Sequence, residues 1–165
     1  IQQSGARILR GNAFELVKLS DAVLARGIKN IKLKAVFSMG SLLETEKRER
    51  IGRAFGCEVF DCYGSTEMGC IAWECSEHCG LHINVDTLVV EFLNGEQKAE
   101  PGKSARLVCT NLHNFAMPFI RYEMGDIGIQ GSERCSCQRG LHLLTRIEGK
   151  ADDFFLRSDG EVISP

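Results

Sequence analysis

Apolar residues recur at helical spacing through residues 12–27, where Ala13, Leu16, Val17, Val23 and Leu24 fall mostly on one face. Asn12 is a capping residue with Glu15 three positions on, and Gly27 suits the stop. The run Lys34-Ala35-Val36-Phe37-Ser38, closing at Gly40, predicts a buried strand and a turn. Residues 44–55 return to a helical pattern, with Ile51, Ala54 and Phe55 inward, charge outward and Gly56 behind them. Residues 57–62 alternate as a strand that breaks at Tyr63-Gly64. Strand, helix, strand in that order predicts a right-handed crossover in a parallel sheet, whose ligands bind where strands end. Segments 38–41 and 63–67 are therefore the places to search.

The pattern then changes. Residues 81–85, 87–93, 105–110, 127–130 and 141–147 are short β-rich runs, separated by Asn94-Gly95, Pro101-Gly102 and Gly131-Ser132 turns. That spacing predicts antiparallel strands. No internal repeat stands out. The expected architecture is α/β: a parallel βαβ region followed by a β-rich half.

Composition narrows the class. The chain has 165 residues, 44% apolar and 25% charged, which is ample for a globular core. Its net charge of −2 and scattered basic residues give no footprint of a nucleic-acid or membrane-surface partner. No apolar run reaches membrane-span length. Without a secretion signal the expected compartment is a reducing cytoplasm. The first residue, Ile1, and the last, Pro165, make both ends read as cut.

Three segments carry chemistry. Tyr63-Gly64-Ser65-Thr66-Glu67 combines a ring that can stack on a base, a glycine for close approach, two hydroxyls and a carboxylate able to hold Mg2+. Taken alone it reads more readily as a polar loop after a strand, since short motifs match by chance. In Met117-Pro118-Phe119-Ile120-Arg121-Tyr122-Glu123-Met124-Gly125-Asp126, the aspartate follows a glycine at an expected strand start. It is placed to accept from vicinal hydroxyls such as those of a ribose, or simply to cap a turn. The third segment, Arg146-Ile147-Glu148-Gly149-Lys150-Ala151-Asp152-Asp153, is either nucleotide contact followed by a flexible joint or an ordinary charged hairpin.

In that order the three segments resemble the adenylate-forming superfamily of acyl–coenzyme A ligases, luciferases and peptide-synthetase adenylation domains. Glu74-Cys75, Gly80-Leu81-His82-Ile83, Met117 to Tyr122, Cys135-Ser136-Cys137 and Gly149 to Asp153 are similar to the phenylacetate–coenzyme A ligase branch. The resemblance implies part of that family's large N-terminal domain over 1–148, with 149–165 as hinge and start of the small C-terminal domain. It implies ATP-dependent activation of a carboxylic acid, aromatic and phenylacetate-like, as an acyl-adenylate, then transfer to coenzyme A. Related alternatives are an adenylating enzyme of polysaccharide biosynthesis with another acceptor, or a non-catalytic zinc-stabilised binding module. By resemblance Tyr63, Gly64 and Ser65 border the nucleotide, Thr66 contacts the α-phosphate and Glu67 holds Mg2+. Asp126 then takes the ribose hydroxyls, and Ser38 to Ser41, with Gly40, lie beside the adenine or acyl pocket. Lys150 stands where the family carries arginine, keeping the charge without the planar fork. Asp152 matches the hinge. The expected ligands are ATP or AMP, Mg2+, coenzyme A and a small carboxylic acid, with a homodimer left open. The family's phosphate loop and catalytic lysine are not among these residues, so the chain alone is expected to be inactive.

Eight cysteines remain to be placed. Cys57, Cys62, Cys70 and Cys109 sit in apolar, strand-like surroundings and read as small hydrophobes. Residues 75–82 offer two thiols and two imidazoles, and Cys135-Ser136-Cys137 offers two more thiols. Such pairs from separated loops fit structural zinc, a disulfide between the clusters, or free thiols. The family resemblance selects Cys75, His82, Cys135 and Cys137 as zinc ligands, with Cys79 as the alternate.

Overall fold

The computed structural model describes residues 4–153, 155–156 and 162–163. The chain forms two compact units, Ile1–Gly64 and Ser65–Pro165.

In the first unit the strand β1 (Ile8–Gly11) leads into the helix α1 (Ala13–Ala25), followed by β2 (Ala35–Met39), α2 (Thr45–Phe55) and β3 (Glu58–Ser65). The caps are those the sequence predicts: the Asn12 side chain accepts from the Phe14 amide at 3.0 Å, satisfying a donor that the first turn leaves open. α2 stops at Gly56, whose φ of 63° lies in the left-handed region that a side chain would strain. β2 pairs in parallel with both neighbours, Gly11 opposite Ser38 and Met39 opposite Cys62. Leu16 and Val23 of α1, Ile51 and Phe55 of α2, and Val36 and Val59 of the strands pack into one apolar cluster with Leu33. The carboxyl ends of the three strands thus lie along one edge.

β3 is longer than the sequence suggests. It continues through Tyr63, Gly64 and Ser65, and the turn is confined to Thr66, Glu67 and Met68. The expected 63–67 loop is therefore half strand.

The second unit holds β4 (Gly69–Glu74), β5 (Leu81–Ile83), β6 (Leu88–Asn94), β7 (Gln97–Lys98), β8 (Ser104–Asn111), β9 (Tyr122–Gln130) and β10 (Leu143–Lys150). A 3-10 turn, Ala151–Asp153, follows at once, and β11 (Phe155–Leu156) pairs with β12 (Val162–Ile163). The order is β4-β5-β10-β9-β8-β6-β7. Every pairing in it is antiparallel, as the turn spacing predicts. Leu88, Leu107, Cys109 and Leu144 are fully buried there. β1, β4 and β7 are strands the sequence pattern does not single out. Of the expected hinge segment, Lys150 ends β10 and Ala151–Asp153 form the 3-10 turn, while Phe154, residues 157–161 and 164–165 lie outside the described residues. Among the described residues no helix is long and apolar enough to cross a membrane.

Candidate functional site

In the first unit, Ser38 is fully buried near the end of β2, and its hydroxyl has no hydrogen-bond partner among the described residues. Gly40 follows with φ of 75°, and the Ser41 hydroxyl donates to the side-chain Oδ1 of Asn12 at 3.1 Å, tying the turn after β2 to the cap of α1. Tyr63 and Gly64 lie near the end of β3 in extended backbone.

In the second unit the Thr66–Met68 turn exposes Thr66 and buries Met68, whose amide donates to the Ser65 hydroxyl at 3.2 Å. Glu67 lies between them. The phenol of Tyr122, at the start of β9, donates to Glu67 Oε1 at 3.3 Å. Its own backbone N–H, the Ser65 hydroxyl, the Tyr122 phenol and the Lys150 charge together hold the Glu67 carboxyl below its usual range. An ionised carboxylate with lone pairs still facing solvent suits a hard, well-hydrated cation such as Mg2+.

Asp126 does not begin a strand, as the sequence suggests; it sits within β9 and is 8% exposed. The reason is a bulge. Arg106 faces Ile127 and Val108 faces Glu123, so Met124, Gly125 and Asp126 share the place opposite Leu107. Gly125 absorbs the distortion with φ of 68°. β10 is irregular too, with a register shift between Ile147 and Gly149, and Lys150 comes to lie opposite Asp126. Lys150 Nζ is 2.8 Å from Asp126 Oδ1 and also donates to the Met124 carbonyl at 3.2 Å. The lysine expected to face a nucleotide is thus engaged first with the aspartate expected to bind it.

The cysteine loops converge. One ligand atom each from Cys75, His82, Cys135 and Cys137 lies within 4.8 Å of all the others. Cys75 Sγ and Cys135 Sγ are 3.6 Å apart, and Cys137 Sγ is 3.3 Å from His82 Nε2. A disulfide requires about 2.05 Å, so these are separate thiols. A tetrahedral ion with Zn–S bonds of about 2.3 Å spaces its sulfurs by roughly 3.8 Å. The donor set therefore fits zinc in both chemistry and spacing. Burial holds His82 below its usual pKa, favouring the neutral ring a metal needs. The backbone amide of Arg139 is the main cause that brings the Cys137 thiol down to about 7. Trp73 closes the cluster, its ring 5.5 Å from that of His82 and 5.6 Å from the Arg139 guanidinium. Cys79 lies outside the four; it is exposed, and its thiol donates to the Glu77 carbonyl at 3.2 Å. Of the cysteines read as apolar, Cys109 is buried and pushed up to about 12 by that burial, but Cys70 is exposed.

The two cysteine loops are a short sequence repeat. Cys75-Ser76-Glu77-His78-Cys79-Gly80-Leu81-His82 and Cys135-Ser136-Cys137-Gln138-Arg139-Gly140-Leu141-His142 share cysteine, serine, glycine, leucine and histidine at the same places. Both make the same turn: the amide of His78 donates to Cys75 O and that of Gln138 to Cys135 O, each at 3.1 Å. His78 and Gln138 both have positive φ, 49° and 62°. The two knuckles are held face to face by β5 and β10, where His82 pairs with Leu143. Ser136 also donates to Glu77 across the gap, at 2.9 Å.

No protein-family model matches the chain. Phenylacetate-coenzyme A ligase of Thermus thermophilus is 30% identical over 146 residues, covering 84% of this chain and 33% of that protein. The solved 2-hydroxyisobutyryl-CoA ligase in the postadenylation state, in complex with 2-HIB-AMP, superposes with a TM-score of 0.88 at 23% identity. It matches 99% of this chain with 36% of its own. Unliganded O-succinylbenzoate coenzyme A synthetase from Bacillus subtilis gives a TM-score of 0.68 at 16% identity, over 99% of this chain and 37% of that one. The chain spans about a third of the length of these relatives. Its mixed α/β fold is that of the N-terminal domain of adenylate-forming CoA ligases, and over most of its own length the chain is similar in sequence to a phenylacetate-coenzyme A ligase.

Proposed function

We propose that the complete protein carrying this chain is an AMP-forming acid–thiol ligase. A carboxylate oxygen of the acid attacks the α-phosphorus of ATP and pyrophosphate leaves. The thiolate of coenzyme A then attacks the acyl carbonyl, and AMP leaves. The observation that carries this reading is Glu67, held by the Tyr122 phenol at the tip of a tight turn beside exposed Thr66. Mg2+, when bound there, neutralises charge on the phosphates. Thr66 donates to the α-phosphate, Tyr63 stacks on the adenine, and Asp126 accepts from the ribose hydroxyls. Gly40 and Ser38 border the adenine or acyl pocket. The acid is aromatic and phenylacetate-like. This chain by itself does not catalyse adenylation, since a donor of positive charge to the α-phosphate must come from elsewhere in the protein.

The zinc proposed for Cys75, His82, Cys135 and Cys137 is structural. Four protein donors complete its shell and leave no open position for substrate.

The test is a product assay on the complete protein with a panel of acids. AMP and pyrophosphate are expected in equal amounts, only when acid is present, with phenylacetate preferred over acetate by roughly 100-fold. Release of ADP and phosphate would rule out adenylation.

Lys150 adds a finer expectation. Its ammonium holds the carboxylate that meets the ribose, so Lys150→Ala is expected to raise the KM for ATP by about tenfold, the effect of removing one partner from a half-buried charge pair. Lys150→Arg keeps the charge and stays within about twofold of the parent. ATP affinity measured by pyrophosphate exchange decides between them; an unchanged KM in Lys150→Ala excludes the role.

A further inference from the structure

The turn that carries Glu67 and the bulged strand that carries Asp126 are joined through one side chain. Tyr122 lies 55 positions beyond Glu67 along the chain, yet its phenol reaches the Glu67 carboxylate. We propose that Tyr122 is a positioning residue for Glu67: it fixes one carboxylate oxygen so that the other stays turned toward the Mg2+ of the nucleotide. The proposal rests on the reading of Glu67 as the metal ligand.

Three observations support it. Tyr122 is itself braced, since the Phe119 ring meets it edge-on at 5.1 Å and 74°. Its backbone is fixed on both sides, by the pairing with Cys109 and by the Arg121 amide donating to Thr110 Oγ1 at 2.9 Å. Arg121 takes a φ of 48°, costly for a residue with a side chain, and the strand enters from that strained position. The ring nevertheless remains 37% exposed, so burial of the ring does not account for the bracing. A glutamate on a turn has three rotatable bonds and many orientations, of which a metal uses few. A phenol held by its neighbours selects among them before the metal arrives, which is how preorganisation strengthens binding. A phenol also suits the task chemically. It donates one hydrogen bond and brings no charge to compete with the cation.

The experiment compares Tyr122→Phe, Glu67→Gln and the double variant in the complete protein, with melting temperatures as a check on folding. Tyr122→Phe keeps the ring and its contact with Phe119. Mn2+ affinity in the presence of ATP is read by electron paramagnetic resonance, and pyrophosphate exchange is read separately. The Tyr122→Phe variant is expected to bind Mn2+ roughly three- to tenfold more weakly, in line with one lost hydrogen bond. Its kcat should fall by a similar factor at limiting metal and recover at high metal, with the KM for ATP at saturating metal unchanged. In the Glu67→Gln background, removing the phenol should change little more: the amide oxygen still accepts from it, but the anionic ligand whose orientation matters to the metal is gone. Phe119→Leu retains the hydroxyl but loosens its brace, and a loss of about twofold is expected. A normal Mn2+ affinity in Tyr122→Phe beside a defective Glu67→Gln would overturn the positioning role and leave the metal reading intact. A normal affinity in Glu67→Gln would remove the metal reading itself, and this proposal with it. Weakening in Phe119→Leu alone would assign the effect to packing and reject the hydroxyl.

Discussion

Replacing Cys135 with serine is expected to strip a bound zinc from this chain and lower its melting temperature by about 10 °C. The thiol is 8% exposed and 3.6 Å from that of Cys75, where the two loops meet beside Leu143 and Trp73. Three donors bind zinc far more weakly than four, and in a structural site the lost binding energy is lost folding energy. A loss of about 3–5 kcal/mol in a chain of this length lowers the melting temperature by roughly 2–4 °C per kcal/mol. Cys79→Ser and His142→Ala are the informative controls. Cys79 is exposed and outside the four-donor cluster, and His142 is exposed although it repeats the place of His82 in the second knuckle. Both are expected to keep the metal and stay within about 2 °C of the parent, as surface changes do. Elemental analysis of protein purified without chelators should find about one zinc per chain. A metal-free parent with the melting temperature of Cys135→Ser would abolish the site.

How much of this was legible in the sequence depends on which forces set each feature. The two helices were readable because their causes are local: Asn12 caps one, Gly56 ends the other, and each shows one apolar stripe. The parallel pairing of β2 with β3 followed from the helix between them. The missed strands are those whose causes are not local. β1 and β7 are only four and two residues long, and each pairs along the edge of a longer neighbour. Tyr63-Gly64-Ser65 carries turn-forming residues, yet its backbone stays extended and β3 runs on to Ser65. The bulge at Asp126 was hidden for a related reason. A glycine before an aspartate reads as a turn, whereas here Gly125 takes a left-handed φ without leaving the strand. In the zinc cluster the donor types were visible, but the choice among six candidates came from resemblance. Their convergence depends on β5 lying beside β10, which no local pattern encodes.

Glu67→Gln and Asp126→Asn are expected to impair acid-dependent pyrophosphate exchange in the complete protein by different routes, and the difference is the sharpest test of the nucleotide assignment. Glu67→Gln keeps the shape and removes the negative charge. The turn survives, because the Ser65 hydroxyl still meets the Met68 amide, but a metal ligand becomes a neutral amide. Loss should fall on turnover, by roughly 100-fold, and should be partly relieved by raising Mg2+. Asp126→Asn acts twice. It turns a double acceptor into a mixed donor and acceptor, so one ribose hydroxyl loses its partner, at about 1–3 kcal/mol. It also leaves Lys150, now 2.8 Å from an uncharged amide, without the carboxylate it pairs with. The KM for ATP should therefore rise by about 10- to 100-fold while extra Mg2+ brings no recovery. The Lys150 contribution can be separated, since adding Lys150→Ala to Asp126→Asn should cost little more once the pair is already broken. Parent-like exchange in both single variants would exclude Glu67 and Asp126 from the nucleotide site. Metal rescue of Asp126→Asn would instead move Asp126 from the ribose to the cation.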